Sequence, residues 1–227
     1  MFVEPTKADP DDIARKLAAA PDLKLPPPPS WEVGPDGELV NYRMQTMGFA
    51  RKARNRIAQL LYNMVVTHIP SHTVRLGFLR LMGATIGEGS SIMRTTQVLD
   101  PEFLRIGRNS TVGQRCLLDA RAGLWIGDNV TIASDVHIIG GGHDINHPDF
   151  LPVPVPTVIE DYVWIASRAM ILPSLIRRGA VVAAQALVNQ YKDIGELEVV
   201  GGVPAKVISK RNPDALQYSA YYRPLFG

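Results

Sequence analysis

Cysteine is nearly absent: Cys116 is the only one in 227 residues. An intrachain disulfide is therefore excluded, and a reducing, cytoplasmic setting is the expectation. A membrane-length apolar run is also missing. The longest candidate, 57–69, holds Gln59, Asn63 and His68 and is too short to span a bilayer. No signal-like segment opens the sequence, since residues 1–20 carry acids and a proline where an apolar core would stand. Acid is absent between Asn41 and Gly87, where Arg43, Arg51, Lys52, Arg54, Arg56, Arg75 and Arg80 are all basic. The formal net charge is nevertheless only +2, too small to argue for nucleic acid as a partner.

What is present divides the chain into an arm, a cap, a repeat and a tail. Residues 1–42 read as an acidic arm. Asp11 and Asp12 suit the start of a short helix over 13–20. Pro26 to Pro29 form a stiff spacer, and Gly34-Pro35-Asp36-Gly37 is turn chemistry between two short strands. The spacing of Ile57, Leu60, Leu61, Met64 and Val65 predicts an amphipathic helix over 43–66, and a second short helix is expected over 72–82. One reading of this 43–84 segment is a cap whose apolar stripe faces the core. The other is a basic surface over 43–82 for peripheral contact with anionic lipid or a lipid-linked acceptor.

From Ile86 the period changes. Aliphatics recur in steps of six at Ile86, Ile92 and Val98, then at Ile106, Val112 and Leu118, and then at Ile126, Ile132 and Ile138. The step returns at Ile159, Ile165 and Ile171, and at Ile176, Val182 and Val188. One inward aliphatic per short strand makes one flat side of a prism, and three sides bring the chain back above its start. The first three coils begin twenty residues apart, with the extra pairs near 102–104 and 121–124. The fourth and fifth are one residue closer than the step allows. About five coils are expected over 85–194, interrupted by a proline-studded loop over 143–158 and followed by a tail over 195–227.

The six-residue pattern, Ile159-Glu160-Asp161-Tyr162-Val163-Trp164-Ile165-Ala166, Ile171-Leu172-Pro173 and Gly202-Val203-Pro204-Ala205-Lys206-Val207-Ile208 together resemble the hexapeptide-repeat acyltransferases. Within them the chain is most similar to the sugar O-acetyltransferases of the maltose, galactoside and colanic-acid type. The resemblance covers about residues 75–211. It implies a mainly β fold, a left-handed parallel β-helix with an N-terminal helical cap and extended arm. It also implies a homotrimer, with acetyl-CoA as acyl donor held in grooves between subunits.

The same resemblance puts a catalytic histidine at His143, in Gly140-Gly141-Gly142-His143-Asp144. Moving an acetyl group from a thioester to a hydroxyl needs a base for a weakly acidic proton, which suits an imidazole. No serine or cysteine nucleophile is needed, because the acceptor hydroxyl attacks directly. By position, Trp164, Ser167 and Ala184 fall on the coenzyme groove, and Lys206, extended by Lys210 and Arg211, near the coenzyme phosphates. Trp164 read as a corner aromatic packing between subunits is compatible with that role. Asp119, Asp144 and His147 are the expected acceptor side. His143 and His147 lie four apart, but the glycines and Pro148 argue against the helix a zinc pair would use, so no metal is expected. Val182-Ala183-Ala184-Gln185-Ala186, Asn189-Gln190-Tyr191 and Ile176-Arg177-Arg178-Gly179 depart from the family pattern on the coenzyme wall. Besides O-acetylation of a sugar or glycan precursor, the sequence leaves open N-acetylation of an amino sugar and a non-catalytic trimeric scaffold. Tyr218, Tyr221, Tyr222 and Phe226 suggest a tail that docks on a neighbouring surface or on the arm.

Overall fold

Each six-residue step of the repeat ends in a short strand whose aliphatic points inward, and the strands stack in register. The computed structural model, which describes residues 2–225, shows a parallel β-solenoid with three faces. One face runs Thr85–Ile86, Leu104–Ile106, Leu124–Ile126, Thr157–Ile159, Leu175–Ile176 and Asp193–Ile194, so that Ile86, Ile106, Ile126, Ile159, Ile176 and Ile194 form one column. The second runs from Ser91–Ile92 through Thr111–Val112, Thr131–Ile132, Trp164–Ile165 and Val181–Val182 to Glu198–Gly201. Lys206–Lys210 then turns back on it antiparallel. The third has five strands, from Gln97–Leu99 to Leu187–Val188. Ile194 and Val200 are fully buried on a further turn, so the solenoid has about six turns where the spacing gave five. The step of six in fact continues from Val188 to Ile194 and Val200 and fails only at Lys206, so this turn escapes a pattern read in complete triplets.

The irregularities are absorbed outside the core. Pro101–Phe103 makes a tight helical turn, residues 121–123 bulge at the equivalent corner one coil on, and the shortened step is taken up at 172–174. The corners stack residues in the left-handed region, which L-residues enter at a cost. Asparagine takes this position at Asn109 and Asn129, but so do Arg115, Tyr162, Arg168 and Gln185. Stacked register, rather than residue type alone, holds them there. Inside the corners hydroxyls bridge the coils: Ser90 Oγ donates to the Gly107 carbonyl at 2.6 Å and Ser110 Oγ to that of Gly127 at 2.8 Å. Cys116 continues the neighbouring ladder, its Sγ 3.1 Å from the Ala133 carbonyl.

The arm, the cap and the tail lie on the outside of the solenoid. Helix α1 (Pro10–Ala19), capped by Asp9, buries Lys16 against Asp12 at 2.7 Å, and Ala20 and Leu23 cover Trp125, Val158 and Leu175. Ser30–Val33 and Leu39–Arg43 pair antiparallel around the expected turn. Helix α2 (Phe49–Met64) begins later than the spacing suggested, because Arg43 ends that hairpin; α3 spans His72–Leu81. α2 reverses the expected orientation. Asn55, Ala58 and Tyr62 face inward, whereas Ile57, Leu60, Leu61, Met64 and Val65 are exposed. Two of its cations, Arg51 and Arg54, pair with Glu102 at 2.8 and 2.7 Å. Among the described residues no helix is long and apolar enough to cross a membrane.

The tail docks along the solenoid and cap of its own chain. Tyr218 meets Tyr162 edge-on at 5.5 Å, Thr111 Oγ1 donates to the Ala220 carbonyl, and His72 Nε2 to that of Pro224. Phe226 lies outside the described residues.

Candidate active site

The glycine corner sits where the third face gives way to the long loop. Gly140 is required by space, because a Cβ there would lie 2.7 Å from the Asp119 carbonyl oxygen. Gly141 adopts φ +104°, in the range that favours glycine. The loop then folds into a ribbon, Gly142–His143 against Pro152–Val153. His143 comes out exposed on its outer strand, stacked on the Phe150 ring at 4.4 Å and 10°. Its Nδ1 lies 2.8 Å from the Phe150 carbonyl. A carbonyl oxygen only accepts, so in the neutral ring Nδ1 carries the proton and Nε2 keeps a free lone pair. His143, the three glycines, Arg121, Met44 and Pro152 to Pro154 line a cavity of about 230 Å³.

The three expected acceptor-side residues are occupied with building this site. Asp119 is buried. Its carboxylate accepts from Arg121 Nε at 2.9 Å and Nη2 at 2.7 Å, from the Arg121 amide at 3.1 Å and from the Gly140 amide at 3.1 Å. The Asp119 carboxylate in turn holds the Arg121 guanidinium above the usual arginine range. Asp144 accepts from the Thr6 hydroxyl and from the Asn146 amide, and the Thr6 bond holds its carboxyl below the usual range. His147 is buried, with Nε2 donating to the Val3 carbonyl at 3.0 Å and Nδ1 accepting from the Asp149 amide at 3.1 Å, so neither nitrogen is left for an acceptor. The arm fastens the loop through these two contacts and through Tyr42, whose hydroxyl donates to the Pro152 carbonyl at 2.8 Å. Nothing in the sequence of the arm signalled that role.

On the coenzyme side the structure separates the expected residues into two groups. The turns carrying Ser167 and Ala184 stack, with the Gln185 amide donating to the Ser167 carbonyl at 3.1 Å, and both residues are exposed. Lys206 lies at the same end of this face, paired opposite Gly201, where a Cβ would sit 3.2 Å from that of Ala183. Lys210 is paired with Glu198 at the other end of the strand, about 13 Å along at roughly 3.3 Å per residue. Arg211 is tied up there, donating to the Tyr162 and Gly179 carbonyls at 2.9 and 3.4 Å and to the Tyr218 hydroxyl at 3.1 Å. It pins the tail instead of waiting for phosphate. Trp164 is 47% exposed on the same face. Ser167 also lines a cavity of about 390 Å³ whose far wall is Tyr222 and Pro224 of the tail. Among the described residues no group of three or more His, Cys, Asp or Glu side chains is placed to hold a metal.

No family model matches the chain. It is 29% identical over 163 residues to the galactoside O-acetyltransferase of Escherichia coli K12, covering 70% of this chain and 79% of that one. It is 30% identical over 138 residues to the putative colanic acid biosynthesis acetyltransferase WcaF of the same organism, covering 60% and 75%. In structure it is similar to the hexapeptide-repeat acetyltransferase VCA0836 of Vibrio cholerae, solved with acetyl coenzyme A. The TM-score is 0.62 at 25% identity, covering 71% and 87%.

Proposed function

The chain belongs to the hexapeptide-repeat acetyltransferases, and from that premise we propose that it transfers acetyl from acetyl-CoA to a hydroxyl of a sugar or glycan precursor, with His143 as general base. The observation that carries the assignment of the base is the Nδ1 contact with the Phe150 carbonyl, which leaves Nε2 unprotonated at the rim of a cavity. An acceptor hydroxyl there gives its proton to Nε2 as its oxygen attacks the thioester carbonyl. The C–S bond then breaks, and the departing thiolate takes the proton from the imidazolium. Each proton and electron pair is accounted for without a covalent enzyme intermediate.

Ser167, Ala184 and Lys206, gathered at one end of the second face, are the residues we assign to the donor, with the Lys206 ammonium opposite its phosphates. We further propose that the working unit is a homotrimer. Exposed apolar side chains beside the site favour this: Trp164 and Met170 on the solenoid, and Ile145 and Phe150 on the loop. The test is a transfer screen with acetyl-CoA over hydroxyl and amino acceptors. Acceptor-dependent thiol release to hydroxyl compounds is expected. Transfer confined to amines would replace O- by N-acetylation.

A further inference from the structure

A second cavity, of about 390 Å³, adjoins the one at His143, and the two share Met44 and Arg121 as lining. Its walls come from three parts of the chain. Arg43 ends the arm hairpin; Lys52, Asn55, Arg56 and Gln59 follow one another on a single face of α2 at helical spacing; Asp100 and Arg121 come from solenoid corners. Two of the polar groups are committed elsewhere: Asn55 bonds Glu102 and Arg54, and Arg121 is matched by Asp119. Arg43, Lys52 and Arg56 have no side-chain hydrogen bond or ion pair among the described residues. The only carboxylate in the wall is Asp100, and burial raises its pKa, which weakens it as a counter-charge. Unmatched cations drawn around one concavity repel each other, and an anion brought among them relieves that repulsion.

We propose that this cavity seats a phosphate or diphosphate carried by the acceptor, whose hydroxyl end lies against His143. The acceptor class is then a sugar phosphate or diphosphosugar rather than a neutral sugar. A lone carboxylate would be satisfied by one guanidinium; three unpaired cations suit the higher charge and multiple oxygens of a diphosphate. The placement of Lys52 and Arg56 on the cavity wall has the same explanation: one side of the helix presents its charge to the site while its apolar stripe faces outward. This rests on the acetyl-transfer reading for the identity of the reacting end, but not for the anion site itself.

The two are tested separately by calorimetric titration of inorganic pyrophosphate into protein saturated with coenzyme A, so that the donor's own phosphate site is filled. Wild type is expected to bind, and Arg43→Gln/Arg56→Gln to bind about tenfold or more weakly, since hydrogen bonds to charged groups are the stronger kind. Coenzyme A affinity is expected to stay unchanged, which also shows the variant folded. UDP-glucose and farnesyl-diphosphoglucose, titrated in the same way, distinguish a nucleotide-borne from a lipid-borne diphosphate by whichever binds more tightly. Absence of pyrophosphate binding, an unchanged affinity in the variant, or both diphosphosugars binding more weakly than bare pyrophosphate would overturn the proposal. A protein that binds pyrophosphate through these arginines but does not bind coenzyme A would instead count against acetyl transfer.

Discussion

At the scale of single residues, environment separates side chains that the sequence presents as equals. His143 and His147 are four apart in one loop, yet one has a free nitrogen beside a cavity and the other has both nitrogens bonded. Cys116 is the only thiol, but burial pushes it up to about 11, and it serves as a rung in a ladder otherwise built of hydroxyls. It is expected to react with a disulfide reagent at neutral pH only on denaturation; rapid labelling of the native protein would contradict its placement. Lys206, Lys210 and Arg211 are similarly divided. Lys206→Glu is expected to raise the donor Michaelis constant about tenfold, in keeping with loss of a charge-assisted contact. Lys210→Glu is expected to change it much less, and Arg211→Gln to loosen the tail. Equal effects of the two lysine variants on donor kinetics would reject this division.

At the scale of elements, the solenoid was legible because its signal is one-dimensional: Ile86, Ile106 and Ile126 announce a column before any contact is known. The hairpin was legible from its turn, and the glycine corner from its composition. The outward stripe of α2 was not, because helical periodicity gives a face but not the side on which the core lies. Neither was the fastening of the loop by Val3, Thr6 and Tyr42, which joins residues more than a hundred positions apart. The tail latch is a further long-range contact, and it titrates. Burial, with the nearby charges of Arg75 and Arg223, lowers the His72 pKa below the ordinary 6.5, so the neutral ring is the docked form. As pH falls the unfolded histidine takes its proton first, so the latch is at full strength above about 6.5 and loses stability as pH drops towards the lowered folded value. The protection of amides over 218–225, taken relative to the intrinsic exchange rate at each pH, should fall between pH 7.5 and 5.5 in wild type. It should be much less pH-dependent in His72→Gln, and an equal pH response in the two would remove His72 from the latch.

At the scale of the whole molecule, a rigid stack of coils carries a loop, an arm and a tail that each close over part of it, leaving apolar side chains exposed around the site. The trimer proposal predicts a scattering mass three times the 24.9 kDa of the chain, and removal of 150–156 should abolish transfer even where the solenoid stays folded. A fully active species of single-chain mass would contradict a shared site. The central claim is that this assembly moves acetyl from acetyl-CoA through His143, and its most direct measurement is acceptor-dependent thiol release by purified wild type and His143→Ala. We predict release in wild type and a loss of about 10²–10⁴ in turnover in the variant, the usual worth of a general base, with coenzyme A binding retained. Undiminished turnover by the variant, or no release by a wild type that binds coenzyme A across both hydroxyl and amino acceptors, would contradict it.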